Sequence, residues 1–235
     1  MEKENQTDSD NSSKVTNQPD KEDYRYRQES WANLARFYDP FLNLLFLFVG
    51  GEGRVRAKFA DFINPSDEDD ILDICCGTGT LIPLLAERIT HGRVIGIDLS
   101  PAMLFKIAGK SRSNNVFPLQ SDAQNMPFAD GYFDKELISL GLHEIPDGVR
   151  LAALKEIYRT LKPGGSLFVF DFNLPEGRPA RLITRLFVKA LEESFTYEWL
   201  MCEKLPGELT KSGFTLEKRE TICGGILQMV QARKT

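Results

Sequence analysis

A chain of 235 residues, 42% hydrophobic and 27% charged with a net charge of −5, is long enough for one large domain or a domain with a tail. The charge is uneven: residues 1–23 hold seven acidic and three basic side chains, leaving 27 acidic against 26 basic elsewhere. That near-neutral remainder argues against a nucleic-acid-binding surface, and four cysteines without C-x-x-C or other ligand spacing argue against a metal centre.

Residues 1–23 are polar, with Val15 the only apolar residue after the initiator, and cannot bury enough surface to offset chain entropy. They read as a disordered tail. Tyr24 to Val49 supplies aromatics and leucines at mixed helical spacing, interrupted at Pro40. Its apolar run Phe41–Val49 is about half the length needed to span a bilayer. Two readings stay open for it: a helix packed on the core or closing a pocket, or a surface that touches a lipidic substrate or a membrane.

From Asp70 the chain alternates short apolar strands with helical segments. Strands are expected at Ile71–Cys75, Arg93–Asp98, Val116–Gln120, Phe133–Ser139 and Ser166–Asp171, and helices at Thr80–Thr90, Pro101–Lys110 and Gly148–Leu161. Pro101 after Ser100 suits a first-turn proline behind an N-cap, and Lys162-Pro163-Gly164-Gly165 stops the third helix and turns into the fifth strand. The rhythm implies a parallel sheet with right-handed crossovers. Arg178–Glu193 reads as an amphipathic helix, with Leu182, Ile183, Leu186 and Phe187 on one face and Arg181, Arg185 and Lys189 on another. The apolar stretch Thr215–Ala232, split at Gly224-Gly225, suggests a closing antiparallel pair, which makes seven strands.

The informative stretch is DILDICCGTGT, Asp70 to Thr80: a strand, a glycine turn at Gly77-Thr78-Gly79, then a helix. In doubly wound sheets a loop at the carboxyl end of a strand is where ligands bind. Glycines let the backbone approach a ligand closely, and a helix start presents free N–H groups and a positive dipole end. About 20 residues on, a second strand ends in Asp98, placed to accept from ribose hydroxyls. Ile82 stands where a dinucleotide fingerprint has its third glycine, which favours a ligand with a nucleoside but no pyrophosphate.

These residues resemble the class I S-adenosylmethionine-dependent methyltransferases, and most of all the ubiquinone/menaquinone biosynthesis C-methyltransferase family. The resemblance runs from about Phe37 to Lys234 through YDPFLN, LDICCGTGT, GIDLSPAML, SDAQNMPFADGYFD, LISLGLHEIPD, LKPGG, FDFNLP, SFTYEWL and GGILQMVQARK. It implies a Rossmann-like α/β fold: a mostly parallel seven-stranded sheet, helices on both faces and an antiparallel C-terminal hairpin. The domain would be 24–235, with a helical cap at 24–64 and a helical substrate-side insertion at 173–212. S-adenosylmethionine would be the cofactor. Thr78 would lie against its methionine part between Gly77 and Gly79, Asp98 on the ribose, Asp122 and Ala123 beside the adenine, Ser139 beside the methionine moiety, and Asp73 on the amino group. Tyr38 and Asp39 would close over the cofactor, Tyr38 having also the plain reading of a core aromatic.

Methylating a ring carbon next to a phenolic hydroxyl asks for a base, and His143 directly follows the fourth strand's end. It stands, with Glu144 beside it on the substrate side, where the family commonly has Arg-Asn. A hydrogen-bonded structural histidine is the other reading. His91 reads as solvent-exposed, and Cys75 and Cys76 as small side chains under the glycine turn. The implied reaction is methyl transfer to a ring carbon of a prenylated quinone-pathway intermediate. A lipid amine or other small apolar acceptor, and a non-catalytic cofactor-binding subunit, are the alternatives. With no signal peptide in view, a cytoplasmic protein with reduced thiols is expected, with a peripheral membrane contact as the sharper reading of the basic helix face. The oligomeric state is not legible.

Overall fold

The computed structural model describes residues 51–191, 194–201 and 204–235. The tail at 1–23, most of the expected cap, Tyr38, Asp39 and the run Phe41–Val49 lie outside the described residues. In chain order come α1 (Glu52–Ile63), β1 (Asp70–Ile74), α2 (Ile82–Ala86), β2 (Arg93–Asp98), α3 (Pro101–Leu104), α4 (Ile107–Lys110), β3 (Val116–Gln120) and β4 (Phe133–Ser139). A 3-10 turn (Leu142–Glu144) leads to α5 (Asp147–Thr160), β5 (Leu161–Phe172), α6 (Arg178–Leu191), α7 (Ser194–Met201), α8 (Lys204–Lys211), β6 (Phe214–Ile222) and β7 (Leu227–Lys234).

The seven strands make one sheet in the order β3-β2-β1-β4-β5-β7-β6. β1 pairs in parallel with both β2 and β4, so the switch point of the sheet lies between β1 and β4. β7 runs antiparallel to both β5 and β6. The central strands are near-continuous apolar runs because both faces are covered: Ile71, Leu72, Ile74, Leu137, Ile138, Leu167 and Val169 have no exposed surface. Helix α1 covers one face of β5, with Phe59 tilted on Phe170 at 5.3 Å and Phe62 edge-on to Phe168 at 6.1 Å. Pro118 is tolerated because β3 is an edge strand.

The expected strands are recovered within a residue for β1 to β4, and so is the helix expected at Gly148–Leu161, found as α5; the two helices before it are shorter. Helix α2 begins only at Ile82 because Gly79 and Ile82 donate to Cys76 and Gly79 inside the loop (2.9 and 3.2 Å). Past Ala86 the chain tightens into i→i+3 bonds, Arg88 to Leu85 and Ile89 to Ala86 (3.0 and 3.4 Å), and never completes the helix expected to Thr90. Pro101–Lys110 splits into α3 and α4 at Phe105-Lys106, where the chain tightens into i→i+3 bonds, Lys106 to Met103 and Gly109 to Lys106 (3.0 and 3.2 Å). Lys162-Pro163-Gly164-Gly165 does not precede the fifth strand but bulges within it: Leu161 pairs with Phe133, and pairing resumes at Ser166 with Lys135.

The insertion is held at its base by Arg150 of α5, which is fully buried and donates to Glu208 of α8 through Nε and Nη2 (both 2.8 Å). Arg150 Nη1 donates to the Ile145 carbonyl, and Trp199 Nε1 donates to Glu208 Oε2 (2.9 Å). With its donors satisfied this buried pair holds, and removing one partner would cost about 3–5 kcal/mol. Among the described residues no helix is long and apolar enough to cross a membrane, and no group of three His, Cys, Asp or Glu side chains could hold a metal ion.

Candidate active site

The carboxyl ends of β1, β2 and β4 meet at a cleft with about 330 Å³ of empty space, open to solvent. Arg56, Asp73, Cys75, Cys76, Gly77, Thr78, Thr80, Leu81 and Ser139 line it. The loop that forms its floor needs unusual backbone. Gly79 has φ +68°, and a Cβ there would sit 2.6 Å from Ile107 Cγ1, so only glycine fits. Cys75 holds φ +54° without being glycine, so the strand ends at Ile74 rather than at Cys75 as expected. Residues in this region store strain of about 1–3 kcal/mol, and they cluster at working sites.

Asp98 lies at the end of β2 behind the loop. Its carboxylate accepts from the backbone N–H groups of Gly77 and Ser100, both at 2.9 Å, and so ties the glycine turn to the start of α3. Burial pushes this carboxyl up, and those backbone donors pull it back. Thr78 Oγ1 accepts from Lys110 Nζ at 2.7 Å, and the same ammonium reaches Thr80 Oγ1 at 2.9 Å, so α4 clamps the loop from outside. Helix α2 has only five residues, so the expected dipole end is a small one.

Asp73 is 2% exposed, and its Oδ1 has no hydrogen-bond partner among the described residues. Burial raises its carboxyl to about 7; the Arg56 guanidinium opposes that rise and Asp98 adds to it. Arg56, 6% exposed, comes from α1, donates from Nε to Glu52 Oε1 at 3.4 Å (i,i+4) and from Nη1 to Ser139 Oγ. The cleft therefore presents an orphan carboxylate oxygen beside a buried guanidinium. A buried polar atom without a partner is rare in folded proteins. The ammonium and carboxylate of an amino-acid moiety would answer both groups, so the residues present fit S-adenosylmethionine. Burial pushes the Cys75 and Cys76 thiols well up, which keeps them out of nucleophilic chemistry.

Asp122 and Ala123 follow the end of β3, where Ser121 N–H donates to the Asp98 carbonyl (3.2 Å) and Gln124 N–H to Asp122 Oδ1 (2.9 Å). They stand beside the Asp98 end of the cleft and not in its wall. His143 and Glu144 are on the 3-10 turn after β4, also outside the wall. Gly141, two residues earlier, packs on the loop: a Cβ there would be 3.0 Å from Cys75 Cβ. His143 is buried, its ring edge-on to Phe172 at 4.8 Å. Its Nδ1 donates to Asp171 Oδ1 at 2.5 Å, its backbone N–H donates to Asp171 Oδ2 at 3.1 Å, and its Nε2 lies 3.9 Å from Glu144 Oε1. His91 is exposed and paired with Asp67 at 2.6 Å, well away from this edge.

Arg56 and Asp171 are absent from the sequence reading. Both carry a signal in hindsight: Arg56 shares a helix face with Glu52, Phe59 and Ile63, and Asp171 interrupts the apolar run LFVFDF at a strand end.

A family model described as a methyltransferase domain matches residues 71–165. The chain is 32% identical over 218 residues to a demethylmenaquinone methyltransferase of Staphylococcus saprophyticus, covering 84% of this chain and 91% of that one. It is 32% identical over 182 residues to a 2-phytyl-1,4-naphthoquinone methyltransferase of Synechocystis, covering 75% of each. Among solved structures, a methyltransferase described as SAM-dependent, from Aquifex aeolicus, superposes with a TM-score of 0.64 over 87% of this chain and 98% of that one, at 20% identity.

Proposed function

From the premise that this chain belongs to the S-adenosylmethionine-dependent methyltransferases, we propose that it methylates a ring carbon of a prenylated quinone-type acceptor. The observation that carries the acceptor class is the similarity to named quinone methyltransferases along most of both chains. The cofactor supplies a methyl group activated on a sulfonium sulfur. Toward it, Asp73 would hold the amino group and Arg56 the carboxylate, with Thr78 and Ser139 beside the methionine moiety. Asp98 would take the ribose hydroxyls while still holding Gly77, and Asp122 and Ala123 would flank the adenine.

On the acceptor side, His143 would take the phenolic proton at Nε2, with Asp171 accepting from the opposite nitrogen. Loss of that proton would make the ring carbon nucleophilic toward the methyl group. The proton that the methylated ring carbon sheds would restore the phenolic hydroxyl, so the proton on His143 would be the single one released. Glu144, near Nε2, would help pass the proton outward. The reading also makes the protein a peripheral visitor to the membrane that holds such acceptors. Incubation with labelled S-adenosylmethionine and short-chain prenylated naphthoquinols tests it. Label on a ring carbon is the expected result, and label on an amine of a lipid extract with none on the quinol would overturn it.

A further inference from the structure

Helix α6 carries Arg178, Arg181, Arg185 and Lys189 and no acidic residue. Glu176 before it and Glu192-Glu193 after it confine the positive charge to the helix. On its outer side Leu182, Ile183 and Leu186 stand 59%, 65% and 61% exposed. At about 3.6 residues per turn, Leu182 and Leu186 form the outward centre line. Arg178, Arg185 and Lys189, all exposed, run along one flank and Ile183 along the other. The side turned inward carries Thr184, only 3% exposed. A surface helix ordinarily turns its aliphatic face to the core. Here three large aliphatics face out.

The geometry points to α6 as the helix that docks this chain on an anionic lipid bilayer, with its aliphatics at the acyl boundary and its cations among the phosphates. A second copy of the chain is a poor occupant, because an isologous contact would set this cationic helix against its own like. The placement in the fold gives the docking a purpose. α6 starts six residues past the end of β5, on the edge of the sheet that carries the cleft. It packs on α7 through Arg185 Nε and Met201 Sδ at 3.1 Å, and α7 in turn bonds the His143 carbonyl through Thr196 Oγ1 at 2.9 Å. A bilayer under α6 therefore lies next to the acceptor side of the site. This deepens the prenylated-acceptor reading and rests on it for its meaning, while the docking itself stands on the helix.

The test uses the full chain with vesicles of phosphatidylcholine alone or mixed with phosphatidylglycerol, and two double variants, Leu182→Glu with Leu186→Glu and Arg178→Glu with Lys189→Glu. The parent should co-sediment with the anionic vesicles about tenfold more than with the neutral ones, and less as salt rises. Each double variant should lose that binding about tenfold. Both should keep the parent's melting temperature, elution volume and affinity for S-adenosylmethionine. Variants that bind vesicles like the parent overturn the inference. So does an apolar-pair variant that melts several degrees lower, since the chain itself then covers the face, or one that breaks up a dimer. Transfer to a water-soluble short-chain quinol separates the two readings. Its absence in the parent sinks the acceptor and not the docking; its survival in both variants while transfer to a vesicle-borne long-chain acceptor is lost supports both.

Discussion

Asp73 makes cofactor binding a proton-linked event. An ammonium group can be held by a carboxylate and not by a carboxylic acid, so only the ionised fraction of Asp73 is competent. With its carboxyl at about 7, roughly one molecule in eleven is competent at pH 6 and ten in eleven at pH 8. The apparent dissociation constant for S-adenosylmethionine should therefore rise about tenfold as pH falls from 8 to 6. A carboxyl at its ordinary 3.8 would give a flat profile over the same range. Titration calorimetry in two buffers of different ionisation heat reads the same event directly: close to one proton released per cofactor bound at pH 6, few at pH 8. Asp73→Asn should flatten the profile and weaken binding at pH 8 by about 1.5–3 kcal/mol, the worth of a hydrogen bond to a charged group. The sign for folding is opposite to that of a paired carboxylate. A raised pKa means that the folded chain holds a proton the unfolded chain has lost, so stability declines as pH rises from about 4 to 7. Equal affinity at pH 6 and 8 with no proton release would refute the reasoning.

Arg56→Met should weaken S-adenosylmethionine by about 1.5–3 kcal/mol but leave 5′-methylthioadenosine, which lacks the carboxylate, nearly unchanged; equal losses in calorimetry would remove Arg56 from that role. Asp98→Ala should weaken both ligands by a similar amount and also lower the melting temperature, because the same carboxylate holds Gly77 and Ser100. His143→Ala should slow single-turnover methyl transfer by about 100- to 10,000-fold with cofactor affinity intact. Asp171→Asn should slow it less, since the ring then loses the carboxylate that orients it and holds the Nδ1 proton. Single-turnover rates equal to the parent's in that variant, with His143→Ala still slow, would leave Asp171 a structural partner only.

The parallel half of the fold was legible because its information is local. Runs such as Ile71–Ile74 and Val94–Ile97 are buried on both faces, and such strands write themselves as near-continuous apolar stretches, which makes Asp73 conspicuous among them. The glycine loop was legible for a related reason: Gly79 occupies a backbone conformation and a space that exclude every side chain. Helix ends were not, because the last turn of α2 is decided by i→i+3 bonds whose cost no spacing of leucines reveals. Arg56 and Asp171 escaped for a different reason. Each acts on a partner 83 or 28 residues away, Ser139 and His143, and a charged residue on an apolar face looks from the sequence like an irregularity. The resemblance found Asp73, Thr78 and Ser139 but said nothing of the guanidinium between them. The amphipathic pattern of α6 was plain, yet not which of its faces turned inward.

The strand order sets a clock on the birth of this protein. β7 is the last of the seven to leave the ribosome, and it is the one that lies between β5 and β6. Until it arrives, β5 offers a bare edge of Phe168, Val169 and Phe170, and β6 has no neighbour in the sheet at all. The cleft lies at the ends of β1, β2 and β4, strands that can already be paired by then. The nascent chain thus carries its cofactor pocket ahead of its own closure, with a sticky apolar edge that other chains can template on. A premature stop at or before Leu227 leaves that edge open permanently, so truncation there should send the protein to aggregates and proteases although every residue around the cleft is intact.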